Sequence, residues 1–326
     1  DTLLGSQLSD QLSGGPGNDV IDGGDGTDSI DGGDGDDDLT GGNDNDTING
    51  GGGSDGDLIF AGSGDDGITV SGTATVFGGT GSDTLTLDAS GVTADVYGVE
   101  TVTGGSGNDA ITMQSSLASG TSIDLGAGTD SLQLAAFGNI VSVQNTETVT
   151  GGGSGGDVLS LVGTGTHTID FSSASFNGTD TITGFAAGAS GDVLDVDGLG
   201  FNGAGASTSA TTSAEILSTD TSLTSGTSVV VFDDAFYTGV DSTAAFSTQV
   251  TNFLTFLGSS GTSMTGSLSA SDNLLFVIDD STSANDISLW HWNDTSADGT
   301  IHSSEITDVG TLDNTDISTL AAANFA

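Results

Sequence analysis

A single apolar side chain recurs every nine residues at the start of the chain. The positions are Leu3, Leu12, Ile21, Ile30, Leu39, Ile48, Ile59 and Ile68, and only the step from Ile48 to Ile59 is longer, by two inserted residues. Between them lie Gly-rich stretches that favour turns, and each apolar residue is the centre of a very short strand with one inward face. The pattern predicts a parallel β-roll in which two repeats make one coil.

After residue 70 the nine-residue pattern loosens, and a longer repeat of Thr- and Val-rich segments appears. The segment GSDTLTL from Gly81 recurs as GTDSLQL from Gly128, and ETVTGG from Glu100 recurs from Glu147. The spacing of 47 residues predicts wider coils of the same solenoid. We expect the β-roll to occupy residues 1–70 and the wider coils to occupy residues 71–202.

The composition changes again near residue 203, where a stretch rich in Ser, Thr and Ala predicts a linker. Beyond it, SVVVF from Ser228, LLFVI from Leu274 and ISLWHW from Ile287 predict strands, whereas Ser242 to Leu257 has helical periodicity and TLAAANFA favours a short terminal helix. Residues 203–326 are therefore predicted to form a small α+β domain. The predicted fold class is an all-β solenoid, a parallel β-roll or β-helix, followed by this domain.

The charge of the chain restricts its partners. It has 46 acidic residues, of which only four are Glu, no Lys or Arg, and a formal net charge of −46. Such a surface cannot neutralise phosphate, which excludes nucleic acid and direct binding to anionic lipid. No apolar run reaches the roughly 20 residues that a membrane span needs. A halophile-like acidic surface is the alternative explanation, but the regular phase of the aspartates argues against it.

The nine-residue unit resembles the RTX calcium-binding repeat, whose pattern is GGxGxDxUx with U apolar. The best copies are GGPGNDVID from Gly14 and GGDGTDSID from Gly23, and the resemblance extends closely to residue 70 and loosely to residue 200. It implies that several Ca²⁺ ions bind to the sixth-position aspartates and to turn carbonyls of adjacent coils. The implied ligands are Asp19, Asp28, Asp37, Asp46, Asp57, Asp66, Asp83, Asp109, Asp130 and Asp157.

Two features bear on these ligands. Asp44 replaces the second-half glycine of its repeat, which predicts a positive φ at that residue. For each aspartate the alternative is an Asx-turn without an ion.

A second calcium site is predicted near the end of the chain. The loop from Asp294 to Glu305 matches the EF-hand loop, with a glycine at the sixth position for the sharp turn. Its predicted ligands are Asp294, Ser296, Asp298, Thr300 and Glu305. Because a strand rather than a helix precedes it, we expect a loop of EF-hand type and not a full hand. A solvated acidic hairpin is the alternative.

Motifs that suggest enzymes do not have the context that catalysis needs. Gly152–Gly156 matches GxSxG, but it lies in a predicted repeat turn and not between a strand and a helix. The GxGxxG match at Gly62–Gly67 has no helix after it, and His167, His291 and His302 form no closely spaced pair. We predict that the chain is not an enzyme.

The C-terminal region resembles the secretion region of RTX proteins exported by type I secretion machinery, on the basis of LLFVIDD, the acidic loop and TLAAANFA. The resemblance implies export to the cell exterior or cell surface. We expect a secreted calcium-binding structural protein of a surface layer, filament or matrix, which assembles with itself through calcium. The alternative is the calcium-binding half of an RTX hydrolase, toxin or adhesin. Asp1 is at the sixth position of a repeat, so we also expect a chain cut from a longer one.

Overall fold

Strands joined by turns make up the described part of the molecule. The computed structural model describes residues 1–52, 56–152, 156–163, 165–170, 180–186, 191–195, 214–217, 229–232, 273–279, 287–293 and 306–313. These ranges contain no helix. The predicted all-β parallel solenoid is confirmed. The helix predicted from Ser242 to Leu257, the terminal helix and most of the predicted linker lie outside the described residues.

The first of two compact units, residues 1–152 and 162–165, consists of two sheets of parallel strands. Odd-numbered strands form the first sheet: β1 (Thr2–Leu4), β3 (Val20–Asp25), β5 (Asp38–Asn43), β7 (Gly56–Ser63), β9 (Thr73–Thr80), β11 (Thr93–Tyr97), β13 (Ala110–Met113), β15 (Ser131–Gln133) and β17 (Thr148–Thr150). Even-numbered strands form the second: β2 (Gln11–Pro16), β4 (Ser29–Asp34), β6 (Thr47–Gly52), β8 (Gly67–Val70), β10 (Thr84–Leu87), β12 (Thr101–Thr103), β14 (Thr121–Asp124) and β16 (Ile140–Gln144). The chain thus alternates between sheets, as a β-roll requires.

The second unit, residues 153–161 and 166–326, combines parallel and antiparallel pairs. Its strands are β18 (Val158–Val162, except its last residue), β19 (Thr168–Asp170), β20 (Asp180–Thr183), β21 (Val193–Asp195), β22 (Ala214–Leu217), β23 (Val229–Phe232), β24 (Asn273–Asp279), β25 (Ile287–Asn293) and β26 (Ile306–Asp313). Parallel pairs join β18 to β20, β20 to β26 and β19 to β21, whereas β26, β25 and β24 are antiparallel neighbours. The three strands predicted in this region correspond to β23, β24 and β25. The boundaries predicted at residues 70 and 202 stay predictions.

The predicted apolar residues form the core of the roll. Ile21, Leu39 and Ile59 align in the first sheet, and Ile30, Ile48 and Ile68 align in the second. All six are at most 2% exposed. Because each coil buries one branched side chain per sheet directly above the last, the stacking of coils is the main source of apolar burial.

Strands β2 to β6 are six residues long, which is longer than the very short strands predicted. The extra residues are the two glycines and the residue after them, as in QLSGGP of β2. Their backbones stay in register with the next coil, and Gly15 pairs with Gly33 and Gly24 with Gly42. The glycine turn is therefore hydrogen-bonded between coils, so it is held in one conformation along the whole roll. The prediction for Asp44 is confirmed, since its φ is 71°.

We expect Gly33→Ala to destabilise the calcium-loaded protein by about 1–3 kcal/mol, the usual cost of a residue held in a sparsely populated conformation. Gly33 has a φ of 111°, and a methyl group on it would lie 2.0 Å from the Gly15 carbonyl oxygen. The matched control is Gly52→Ala, where the nearest atom lies 3.9 Å away. Denaturant unfolding in saturating calcium gives both free energies. Equal stability of the two variants would contradict the role assigned to the turn.

Candidate metal site: carboxylate ladders between the coils

The ten aspartates predicted from the repeat all lie inside the molecule, at the start of strands. Each is 5% exposed or less. They are Asp19, Asp28, Asp37, Asp46, Asp57, Asp66, Asp83, Asp109, Asp130 and Asp157. Charged side chains are rarely buried this completely unless they are paired or bind a metal. The loop with Asp294, Ser296, Asp298, Thr300 and Glu305 lies outside the described residues, so that site stays a prediction.

In the first unit these carboxylates form three ladders that run from coil to coil. The first ladder is Asp19, Asp37 and Asp57. The second ladder is Asp10, Asp28, Asp46, Asp66, Asp83 and Glu100. The third ladder is Asp109, Asp130 and Glu147. In each ladder the backbone N–H of one acidic residue donates to a carboxylate oxygen of the next, over 2.7–3.1 Å.

One oxygen of each carboxylate makes this bond, and in eight aspartates the second oxygen is buried without a hydrogen-bond partner among the described residues. These are Oδ2 of Asp19, Asp28, Asp37, Asp46, Asp66, Asp83, Asp109 and Asp130. A buried polar atom without a partner costs about 1–3 kcal/mol, and a charged one costs more. Eight such atoms, repeated along the three ladders, indicate that a positively charged group binds beside these carboxylates.

Backbone carbonyl oxygens face the same interior space as these carboxylates. A methyl group built on Gly14 would lie 2.4 Å from Asp19 Oδ2 and 2.5 Å from the Gly32 carbonyl oxygen. The same arrangement repeats at Gly23 with Asp28 Oδ2 and the Gly41 carbonyl oxygen. The first glycine of each pair is therefore required because a side chain would collide with both oxygens. At these two steps a carboxylate and a carbonyl oxygen of the next coil thus lie together.

The electrostatics of the ladders are unfavourable in the absence of a cation. Burial raises the pKa of Asp46 and that of Asp83 to about 6 from the ordinary 3.8, against the opposing effect of the backbone hydrogen bond, and neighbouring carboxylates raise it further. Burial likewise raises the pKa of Asp37, Asp66, Asp109 and Asp130. The buried carboxylates therefore favour binding a proton or a metal ion, because either one reduces the cost of burying their charges.

These oxygens fit Ca²⁺, which takes six to eight hard oxygen ligands and accepts both carboxylates and carbonyls. Among the described residues no three acidic or His side chains converge on one point. An ion in the ladder would therefore be held by acidic side chains of neighbouring coils together with turn carbonyls, and not by one side-chain cluster.

The sequence of these coils matches a known family. A family model of the RTX calcium-binding nonapeptide repeat matches residues 4–39, 22–56, 31–68, 68–90 and 96–112. These matched residues are RTX calcium-binding repeats. RTX repeats bind calcium and are not themselves catalytic. No curated protein matches the chain.

The third ladder of these RTX coils is displaced from the first. Asp57 pairs in the next coil with Ala74, which pairs with Ala94, so the first ladder ends there. A new ladder begins two residues earlier along the strand, where the Val92 N–H donates to Asp109 Oδ1 over 2.7 Å. An aromatic stack of Phe60, Phe77 and Tyr97 spans the interruption, with ring centroids 4.7 and 4.4 Å apart. Stacked side chains thus link the coils where carboxylates do not.

Sequence reasoning missed several members of the ladders. Glu100 and Glu147 complete the second and third ladders, each 17 residues after an aspartate, which is the spacing of one coil. In the second unit Asp180 accepts from the N–H of Asp157, and Asp192 accepts from the N–H and the ring Nδ1 of His167. Only the coil spacing would have revealed the two glutamates, because the turns before Glu100 and Glu147 have no GGxG pattern.

The enzyme-like motifs have structural explanations where the structure describes them. The GxGxxG match ends at Gly67, which begins β8, so a strand follows it and not a phosphate-binding helix. The GxSxG match at residues 152–156 lies partly outside the described residues.

Asp46→Asn is expected to act in opposite directions with and without calcium. Asn retains an oxygen that can accept the N–H of Asp28, and the Ala61 carbonyl lies beside the position of Asp46 Oδ2. The substitution therefore mimics the protonated acid and should stabilise the metal-free fold at pH 7. It should also raise the calcium concentration needed for folding by about tenfold, since it removes one charged ligand.

The matched control is Asp38→Asn, at an exposed position of β5 in the same repeat array. Calcium titrations of both variants, and their metal-free curves of β content against pH, give the comparison. If Asp46→Asn and Asp38→Asn shift both curves equally, the buried position of Asp46 has no special role.

Proposed function

We propose that this chain is a secreted calcium-binding structural protein that folds and assembles outside the cell, as a component of a surface layer, filament or matrix. The proposal rests on the carboxylate ladders and on the RTX repeats that form them. Calcium is the expected cofactor at the ladders and at the loop from Asp294 to Glu305.

The ladders give a reason for folding to occur outside the cell. Extracellular calcium sites have dissociation constants of about 10⁻⁴–10⁻³ M, so they are empty at cytosolic calcium and filled at millimolar calcium. Because a ligand that binds only the folded state stabilises it, the coils would form after export. Export as an unfolded chain suits type I secretion machinery, which we propose as the partner during export. The described part of the chain contains no helix with the length and hydropathy of a membrane span.

The outer surface supports assembly through divalent cations. A groove on the outside of the second sheet is lined by Asp31, Asp34 and Asp88, and all three belong to a chain that has no Lys or Arg. Two such surfaces repel each other strongly within a Debye length of roughly 8 Å. Calcium at millimolar concentration would screen and bridge them, so that the ion which folds the chain would also join its copies.

The test is whether the purified chain polymerises when calcium is added. The expected result in calcium at about five to ten times the upper end of these dissociation constants is a sheet or filament visible by electron microscopy and a matching increase in light scattering. Magnesium at the same concentration is the control, because it keeps its waters and prefers strict octahedral sites. A chain that gains its β-structure in calcium but stays monomeric would contradict the structural role. It would favour the calcium-binding half of an RTX hydrolase, toxin or adhesin.

A further inference from the structure

We propose that Glu100 and Glu147 are calcium ligands that complete the last site of the second and third ladders, each together with the aspartate one coil before it. The sites would pair Glu100 with Asp83 and Glu147 with Asp130. The inference rests on calcium binding by the ladders, which is part of the proposed function, and it adds two ligands of a residue type outside the GGxGxD pattern.

Both glutamates occupy the position that an aspartate has elsewhere in a ladder. The Asp83 N–H donates to Glu100 Oε2 over 2.9 Å, and the Asp130 N–H donates to Glu147 Oε2 over 2.7 Å. The bonds between successive aspartates of the second ladder measure 2.8–2.9 Å. Each glutamate therefore brings its carboxylate to the same place between the coils.

The aspartate beside each glutamate has the same unsatisfied oxygen as the inner aspartates. Asp83 and Asp130 are both 1% exposed, and Oδ2 of each is buried without a hydrogen-bond partner among the described residues. A carbonyl is also present at the Asp83 site. A methyl group on Gly78 would lie 2.1 Å from the Gly98 carbonyl oxygen and 2.7 Å from Asp83 Oδ2. The terminal step thus offers the same oxygen types as the inner steps.

The backbone before the two glutamates has the same conformation at both places. Gly98 and Asn145 each lie two residues before a glutamate, and they have φ values of 57° and 49°. This left-handed turn differs from the glycine turn of the nine-residue repeats. In that turn the second glycine has a φ of 111° at Gly33 and at Gly51. Two different residues thus adopt one conformation at equivalent places.

The rarity of Glu in this chain supports a specific role for the two glutamates. Four of the 46 acidic residues are Glu, and two of the four occupy these equivalent positions. In the next coil of the second ladder, Thr121 takes the place of an acid, since Thr101 pairs with Ser122. Glu100 is therefore the last carboxylate of its ladder.

A purely structural role is the competing explanation, in which each glutamate only accepts the N–H of the preceding aspartate. Substitution by Gln separates the two roles, because Gln keeps an oxygen acceptor but removes the charge that a calcium ligand supplies. The full chain would be compared as wild type, Glu100→Gln, Glu147→Gln and the double variant. The control is Asp95→Asn, an exposed position of β11 whose side chain contacts Gln114.

Equilibrium dialysis with radioactive calcium counts the bound ions, and circular dichroism in saturating calcium reports the fold. We expect each Gln variant to keep its β-structure and to lose one bound calcium, or to bind it on the order of tenfold more weakly. We expect two losses in the double variant and none in Asp95→Asn.

Unchanged calcium number and affinity in both Gln variants would overturn the proposal. Failure of a Gln variant to fold in saturating calcium would also overturn it, because the acceptor is retained and the inner sites still bind. Assembly is a separate measurement, so a wild-type chain that stays monomeric leaves this test intact.

Discussion

Removing calcium at pH 7 is expected to abolish most of the β-structure of this protein. The ladders bury eight carboxylates whose second oxygen has no partner among the described residues. A buried charge without compensation costs several kcal/mol, whereas a whole domain is stable by only about 5–15 kcal/mol. Two or three uncompensated carboxylates are therefore enough to unfold the coils, and the loss of all the ions exceeds what apolar burial can offset.

The measurement is far-ultraviolet circular dichroism before and after a chelator, followed by re-addition of calcium. The β signal should disappear and then return, and magnesium should not restore it because it dehydrates reluctantly and prefers octahedral sites. The same β content with chelator as with calcium would show that the coils fold without metal, and it would contradict this prediction.

The second large effect is a reversal of the pH dependence by calcium. Without calcium, lowering the pH from 7 to about 5 is expected to stabilise the fold. The folded-state pKa of Asp46 and that of Asp83 are raised to about 6 from the ordinary 3.8. The folded state therefore binds more protons than the unfolded state between these values, so stability falls as the pH rises through this window.

With calcium the sign is opposite, because protons compete with the ion for the same oxygens. The β content by far-ultraviolet circular dichroism at pH 5 and pH 7, with and without calcium, gives the four values needed. General charge repulsion in a chain of net charge −46 also weakens on acidification. Comparison of Asp46→Asn with Asp38→Asn isolates the contribution of the ladder, and only the former should flatten the metal-free slope. A metal-free protein that is more stable at pH 7 than at pH 5 would refute this account.

The nine-residue pattern predicted the inner coils because each repeat carries its own information. One apolar residue marks the interior, one aspartate marks the ladder, and glycines mark the turn, so Ile30 and Asp28 are placed without knowledge of any other coil. The aspartates predicted beyond residue 80 are also buried at strand starts, including Asp109 and Asp130.

The 47-residue repeat does not by itself predict where its copies lie in the fold. Its copies predict wider coils of the same solenoid, and in the structure Asp83 precedes β10 in the second sheet whereas Asp130 precedes β15 in the first. The sequence of one copy therefore does not predict which sheet its strand joins. The end of the first ladder at Asp57 depends on pairing with Ala74 in the next coil, which no local pattern encodes. The nine-residue pattern does not predict the two glutamates, because the turns before them lack the glycines that identify the repeat.

The central claim is that the calcium ions which fold the chain bind between the coils, at the buried carboxylates. The most direct measurement is the number of calcium ions bound per chain, by equilibrium dialysis, in two matched triple variants. One replaces the buried Asp28, Asp46 and Asp66 by Asn, and the other replaces the exposed Asp22, Asp38 and Asp95 by Asn. We predict that the first variant loses bound calcium and that the second binds as many ions as the wild type. Loss of calcium in the second variant alone would contradict the account.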